Sequence, residues 1–347
     1  MFEGLFSRNR NSDRAVDASA EVPKPARPSI GLALGGGAAR GFAHVGVLRA
    51  LAARGIVPDV IVGTSIGAVV GACYATKQLD AFEDWSRKIT KRGILRYLDV
   101  SFSGSGLISG KGLAKALTEA LGQTKIEDLP LHFAAIATEF DTGHEIWLTH
   151  GRLANACQAS YALPGIFPPV RIGGRWLVDG ALVNPVPVST ARALGARLVI
   201  AVHLNADLTG RGTVISNHGS DDSDEIPIEL NENDTVRRSS FTDLLTGGHT
   251  LLRAVFGSRE RPGIPTVMVE AFNVMQDRIT RARMAGDPPD VLITPKVGQI
   301  GWFDFHRAAE AIDLGVQATE KALEDIEDAI SALSTRPVVT NDTSARS

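Results

Sequence analysis

A serine between two glycines is the feature of this sequence that most directly suggests chemistry. Gly63, Ser65 and Gly67 form a G-x-S-x-G motif. A strand pattern, Val60–Val62, precedes the motif, and a helix pattern, Ile66–Ala75, begins inside it. A strand, a tight turn and a helix in this order expose the serine oxygen near the partial positive charge of a helix N-terminus. We therefore predict that Ser65 is a nucleophile; the alternative is a serine that only caps the helix.

A glycine-rich loop follows the first predicted strand and offers bare backbone N–H groups. Gly35, Gly36 and Gly37 are consecutive, and Arg40 follows them. Preorganised N–H donors are what an ester hydrolase needs to hold the oxyanion of a tetrahedral intermediate. Arg40 either adds positive charge there or holds the loop. A nucleotide-binding loop is the weaker interpretation, because Ala38 replaces the middle glycine of a G-x-G-x-x-G pattern and no G-x-x-x-x-G-K-[ST] sequence occurs.

A serine nucleophile needs a base, and the sequence does not offer an obvious histidine. Of the eight histidines, His44, His203 and His306 each fit a structural role better than a catalytic one. Asp179 is the better candidate, because apolar residues flank it and could remove its carboxylate from water. An aspartate before a glycine, here Gly180, is also common in plain turns. On this segment alone both interpretations stay open.

Composition and charge narrow the class of protein. The 347 residues carry 36 Lys and Arg against 39 Asp and Glu, a net charge of −3, which argues against a dedicated nucleic-acid binder. Cys73 and Cys157 lack C-x-x-C partners, which excludes a disulfide scaffold and a cysteine-based zinc site. We expect neither a metal nor a cofactor. No segment has the length and apolarity of a membrane span, and the N-terminus lacks the apolar core of a secretory signal. We expect a cytoplasmic protein, with peripheral contact at the inner membrane if the substrate is a lipid.

Short apolar runs alternate with helix patterns along the chain, which is the βαβ rhythm of a mainly parallel sheet. The predicted strands are Ser29–Leu34, Asp59–Val62, Phe133–Thr138, Glu145–Leu148, Leu198–His203 and Val291–Thr294. The predicted helices are Phe42–Ala53, Ile66–Ala75, Asp80–Ile89, Lys111–Leu121, Arg152–Ala162, Val188–Leu194 and Phe305–Ala332.

Three segments differ in composition from the domain predicted for residues 29–332. Residues 1–28 and 333–347 are polar, and we predict disorder in both. The third segment is polar and lies at about residues 205–240. It holds seven acidic residues between Asp221 and Asp234 with no intervening Lys or Arg. This pattern predicts a disordered surface insertion.

Two more apolar segments follow that insertion. Residues 241–256 are rich in Leu, Val and Phe, and a lid, a membrane-facing lip and a core helix all remain open for them. Residues 265–285 then have a helical pattern with one apolar face. That face carries Met268, Phe272, Met275 and Ile279. We predict that this stripe packs in the core rather than lining a ligand groove.

Four ordered segments carry a resemblance to a known family. They are LGGGAARGFAHVGVLRAL (Leu34–Leu51), VGTSIGAVVGACYA (Val62–Ala75), ASYALPGIFPPV (Ala159–Val170) and VDGALVNPVPV (Val178–Val188). Together they resemble the bacterial patatin-like phospholipases, which are related to the esterase domain of neuropathy target esterase. The segment Asp290–Gly315 is similar to the C-terminal end of these proteins.

The resemblance implies a three-layer α/β/α fold and hydrolysis of lipid acyl esters, such as (lyso)phospholipids, without a metal. It also implies a catalytic dyad without histidine, with Ser65 as nucleophile and Asp179 as base. By motif, the oxyanion loop corresponds to Gly35, Gly36, Gly37 and Arg40, and the supporting glycines are Gly63, Gly67 and Gly180. Ala38 stands where many members have a glycine.

Two other functions remain open at this point. An acyltransferase would use the same acyl-enzyme but pass the acyl group to an alcohol. A regulatory or adaptor protein with weak catalysis would use the acidic segment and the two termini as binding surfaces. The sequence does not decide which lipid is cut, which ester position is attacked, which protein partners exist or what the oligomeric state is.

Overall fold

The computed structural model describes residues 27–94, 109–207 and 264–334. Nearly all of the predicted lead, insertion and tail, and all of the apolar segment 241–256, lie outside these residues. Within the described ranges, no helix combines the length and the apolar character that crossing a membrane requires.

A single sheet of eight strands organises the described chain. The strands are β1 (Ile30–Leu34), β2 (Val60–Thr64), β3 (His132–Glu139), β4 (Glu145–Leu148), β5 (Val170–Ile172), β6 (Arg175–Asp179), β7 (Leu198–Val202) and β8 (Val291–Ile293). Their order is β5-β6-β3-β2-β1-β7-β8, and β4 also pairs with β3. The pairs β3–β2, β2–β1, β1–β7 and β7–β8 are parallel, whereas β4, β5 and β6 pair antiparallel. Ser65 directly follows β2 and therefore lies at the carboxyl edge of a mainly parallel sheet. Ligand-binding sites of such sheets generally lie at this edge.

Nine α-helices are described. They are α1 (Ala43–Ala53), α2 (Ile66–Ala75), α3 (Leu79–Arg87), α4 (Lys91–Ile94), α5 (Lys111–Leu121), α6 (Leu153–Ser160), α7 (Val188–Ala193), α8 (Ile264–Gly286) and α9 (Ala308–Ser334). Helices α1, α2, α3, α5, α6 and α9 contribute side chains to one core cluster. Helix α7 belongs to a smaller cluster, against which the end of α8 also packs.

Side chains of the central strands alternate between these two clusters, because successive residues of a strand point to opposite faces. Leu32 of β1 and Ile200 of β7 enter the larger cluster. Ala33 and Val199 enter the smaller one. Burial on both faces explains why these strands are continuous apolar runs. The predicted α/β fold, with a mainly parallel sheet between helix layers, is confirmed.

The hairpin of β5 and β6 was not predicted as strands. Each strand is short, and Arg171, Arg175 and Trp176 are exposed, so neither has the clear apolar alternation that predicts a strand. The hairpin matters for function because Asp179 is the last residue of β6.

The predicted packing of the apolar stripe on α8 was wrong for two of its members. Phe272 is buried, but Met268 and Met275 are exposed. Apart from Phe272, the buried face is largely polar: the indole N–H of Trp302 donates to Asn273 Oδ1 at 2.7 Å, and Asn205 Nδ2 donates to Gln276 Oε1 at 2.8 Å. Apolar periodicity reveals that a helix has an apolar face. It does not reveal whether neighbouring elements supply hydrogen-bond partners that allow the polar face to be buried instead.

Candidate active site

Ser65 lies on a strained turn between β2 and α2. Its backbone has φ 56° and ψ −124°, a region that residues with a side chain rarely occupy. The turn is tight because two glycines allow close approach. A Cβ at Gly63 would collide with the backbone of Ala68, and a Cβ at Gly67 would collide with the carbonyl of Leu34. This is the geometry of a nucleophile elbow.

The carboxylate of Asp179 is the hydrogen-bond partner of the Ser65 hydroxyl. Ser65 Oγ donates to Asp179 Oδ2 at 2.8 Å. The other carboxylate oxygen accepts the N–H of Ala181 at 2.8 Å. Thr138 Oγ1 donates to the carbonyl of Asp179 at 2.9 Å. At Gly180 a Cβ would collide with the Ile136 carbonyl, so a glycine is needed for the chain to turn here.

Burial dominates the electrostatics of Asp179, which is only 3% exposed. Removal from water raises the pKa of Asp179 from 3.8 to about 7, while the hydrogen bonds from Ala181 and Ser65 act in the opposite direction by stabilising the carboxylate. A base whose pKa lies near neutrality can take a proton from a hydroxyl in neutral solution and return it in a later step.

A second serine holds the backbone of the first. The N–H of Ser65 donates to Ser160 Oγ at 2.8 Å, and that hydroxyl donates to the carbonyl of Ile136 at 2.6 Å. Ser160 is fully buried. It gives the strained peptide of Ser65 a fixed acceptor and ties α6 to β3. The sequence analysis did not single out Ser160, although it lies in the ASYALPG segment that carries the resemblance.

The three glycines of the loop after β1 have different hydrogen-bond roles. The N–H groups of Gly35 and Gly36 donate to the carbonyls of Val202 and Pro185, at 3.1 and 3.0 Å. Within the described chain, the N–H groups of Gly37 and Ala38 have no protein acceptor, and Ala38 lines the same pocket as Ser65. Of the predicted oxyanion donors, Gly37 therefore keeps a free N–H, and Ala38 adds one.

The predicted loop residue Arg40 is buried, and its guanidinium binds protein rather than the space around Ser65. Its Nε donates to the Ile300 carbonyl at 2.8 Å, and one NH2 group donates to Asn205 Oδ1 at 3.1 Å. His44 serves the same loop, with its Nε2 2.7 Å from the Gly35 carbonyl. Burial lowers the pKa of His44 to about 4, so its ring is neutral at neutral pH. Both side chains hold the loop in place.

An apolar pocket of about 110 Å³ opens beside the two reacting groups. Its walls come from the segment between β1 and α1, from α2, α3 and α5, and from the segments after α6 and before α9. They include Phe42, Val69, Leu113, Leu117, Tyr161, Leu163, Ile166, Phe167, Trp302, Phe303 and Phe305. The described lining contains no histidine. A hydrocarbon chain fits such walls, because burying each methylene stabilises the complex by about 0.8 kcal/mol.

Similarity to known proteins agrees with this geometry. A family model described as patatin-like phospholipase matches residues 32–192, which include Ser65 and Asp179. An NTE family protein of Mycobacterium tuberculosis is 33% identical over 92% of this chain and 98% of its own length. The chain belongs to the patatin-like phospholipase family. It is accordingly a lipid ester hydrolase.

Members of the family differ greatly in length. Patatin-like phospholipase domain-containing protein 7 of Rattus norvegicus is 35% identical over 62% of this chain, but that match covers 17% of the rat protein. A lysophospholipase of Pyricularia oryzae is 28% identical over 86% of this chain and 19% of its own length. The similarity therefore covers less than a fifth of each of these two longer proteins.

Replacing Ser160 by alanine should slow the reaction of Ser65. The Ser160→Ala change removes the acceptor of the Ser65 N–H, and an unsatisfied buried donor costs about 1–3 kcal/mol. We expect labelling by a fluorophosphonate probe to slow at least about tenfold. Ser86→Ala is the matched control, because Ser86 is also buried but, among the described residues, its hydroxyl bonds only to Glu83 of its own helix. Labelling of the Ser160 variant at the wild-type rate would contradict the role.

Replacing Asp179 by asparagine should stabilise the fold above neutral pH. A carboxyl with a raised pKa contributes stability that is complete below pH 3.8 and is lost as pH rises through about 7. At about pH 8 the wild type carries a buried charge, which destabilises it by about 4 kcal/mol at most. Asp179→Asn avoids this charge.

Urea unfolding at about pH 8 and about pH 4 measures the effect. The gain in free energy of unfolding should be large at the higher pH and small at the lower one. Asp128→Asn, at an exposed aspartate, is the control. An equal difference between Asp179→Asn and wild type at both pH values would argue against a raised pKa.

Proposed function

We propose that this protein hydrolyses acyl esters of lysophospholipids or related lipids through an acyl-enzyme on Ser65, with Asp179 as the base. The observation that carries the proposal is the 2.8 Å hydrogen bond between Ser65 Oγ and Asp179 Oδ2 beside an apolar pocket. The lysophospholipase among the relatives supports the substrate class. The membrane surface is the proposed source of the lipid.

In the first half of the reaction, Ser65 becomes acylated. Its oxygen attacks the ester carbonyl while Asp179 takes the hydroxyl proton. The N–H groups of Gly37 and Ala38 hold the oxyanion that develops on the carbonyl oxygen. Asp179 then gives its proton to the departing alcohol, and the acyl chain stays on Ser65 within the apolar pocket.

In the second half, water replaces the alcohol. Asp179 takes a proton from water, the resulting hydroxide attacks the acyl carbonyl, and the same oxyanion forms again. Collapse of this intermediate releases the fatty acid, and Asp179 returns the proton to Ser65 Oγ. One carboxyl with a pKa near neutrality thus serves as acid and base in both halves.

Release of free fatty acid tests the proposal. Lysophospholipid, diacyl phospholipid and a short p-nitrophenyl ester are compared with wild type, Ser65→Ala and, as a matched buried-serine control, Ser86→Ala. We expect release by wild type and Ser86→Ala and none by Ser65→Ala, and we expect lysophospholipid to be the best lipid. Without release from any substrate by folded wild-type protein, the acyltransferase or adaptor functions would replace this one.

The rate of acylation should follow the ionisation of Asp179. We expect kcat/KM for the p-nitrophenyl ester to rise with pH along one limb with an apparent pKa of about 7, because only the carboxylate can accept the serine proton. A stopped-flow pH series measures this limb. A limb near the ordinary carboxyl value of 3.8 would mean that Asp179 is not the desolvated base.

A further inference from the structure

Helix α8 exposes a row of apolar side chains and buries a face that carries several polar side chains. Val267 and Val274 are each 52% exposed, and Met268 and Met275 are 40% and 43% exposed. These four side chains and Ala271 form what we call the outer stripe. All five recur at the spacing of one helical face. The two valines and two methionines are four of the nine large hydrophobic side chains exposed in the described part of the chain.

The inner face of α8 fixes this orientation. Asn273 and Gln276 are buried and hydrogen-bonded to Trp302 and Asn205. Asp277 is buried and binds Arg281 one turn later, at 2.9 Å. Half a turn of rotation would bury the outer stripe, but it would break these buried polar contacts, each of which is costly to leave unmade. The exposed apolar face is therefore built into the packing of the helix.

The same helix borders the pocket that contains Ser65. The ring of Phe272 packs edge-on against Trp302, a pocket residue, with 5.6 Å between ring centroids. Val269 packs in a cluster with Leu163 and Ile166, which also line the pocket. Met268, at the start of the outer stripe, lies against Gly165. The outer stripe is thus continuous with the wall of the pocket.

A cation continues the outer stripe. Arg278 is exposed one turn beyond Val274, on the same helical face, and makes no ion pair within the described residues. Arg281 is exposed at the edge of this face but is paired with Asp277. The exposed Glu270 lies at the same edge about three turns earlier, so Arg278 is the cation on which the proposal rests. An apolar face followed by arginine is the pattern of helices that lie in the interface of an anionic bilayer, where the apolar side chains enter the acyl boundary and the cations meet phosphates.

We propose that the outer stripe of α8, with Arg278, is the surface on which this protein rests on an anionic phospholipid bilayer. The inference rests on the proposed function, because a lipid ester must pass from a membrane into the pocket that α8 borders. Docking through this face would hold the wall of the pocket against the layer that supplies the substrate. Lipid would then enter without crossing open water.

Vesicle binding tests the surface independently of catalysis when all variants carry Ser65→Ala. The double variant Val274→Gln, Met275→Gln should bind vesicles of phosphatidylcholine and phosphatidylglycerol about tenfold more weakly, because two apolar side chains leave the interface. Val57→Gln is the matched control, since Val57 is also 52% exposed but precedes β2 at the opposite edge of the sheet. It should bind normally. Arg278→Gln should weaken binding to these vesicles but not to phosphatidylcholine alone.

Hydrolysis of a soluble ester keeps the two proposals separable. With Ser65 intact, the double variant should cleave the p-nitrophenyl ester at the wild-type rate but lose activity on vesicle lipid. Equal vesicle binding by the double variant and wild type would overturn the docking surface. So would sedimentation of wild type as a dimer that the double variant converts to a monomer, because a second copy would then cover the stripe. Failure to cleave any ester while vesicle binding depends on the stripe would overturn the proposed function alone.

Discussion

The removal of one carboxyl group from water is the constraint on which the rest of this structure depends. Asp179 is buried beside Ser65, and burial brings the pKa of its carboxyl to about 7. A carboxylate in water is a weak base, and the described pocket lining contains no histidine. In the proposed mechanism, this desolvation is what allows Asp179 to accept the serine proton. The neighbouring residues therefore have to hold the Asp179 carboxyl in a place where burial destabilises its ionised form.

The antiparallel hairpin supplies the geometry that a purely parallel sheet lacks. Strand β2 delivers Ser65 at the carboxyl edge, as parallel sheets generally do. Strand β6 runs in the opposite direction along β3, with Asp179 opposite Ala137, and so brings its own last residue to that region. The serine hydroxyl and the carboxylate then meet across β3. Neither group depends on a flexible loop for its position.

The sequence predicted the chemistry in part and the supporting contacts hardly at all. The strand–turn–helix pattern around Ser65 was readable because it is local. Asp179 is 114 positions away, and its own segment left it open between a base and a turn residue until four segments together indicated the family. The hydrogen bond that joins the two residues depends on the pairing of β6 with β3, which their spacing does not encode.

Other features were hidden for different physical reasons. The partner of Ser160 is a backbone N–H, which has no sequence signature. The sequence does not distinguish the three loop glycines, yet the N–H groups of Gly35 and Gly36 donate to backbone carbonyls of the protein itself. The apolar stripe of α8 was recognised, but its direction depends on Asn205 and Trp302, which lie far away in the chain.

Ala38 combines a strained backbone with a side chain in the wall of the pocket. Its φ of 50° lies in the left-handed region, which strains an alanine by about 1–2 kcal/mol relative to a right-handed backbone. A glycine at this position would avoid that strain but would also lack a side chain. The Ala38 methyl contributes to the wall of the pocket that contains Ser65. The alanine therefore narrows the pocket beside Ser65, and in the proposed mechanism it would limit the shape of the substrate at the residue whose N–H holds the oxyanion.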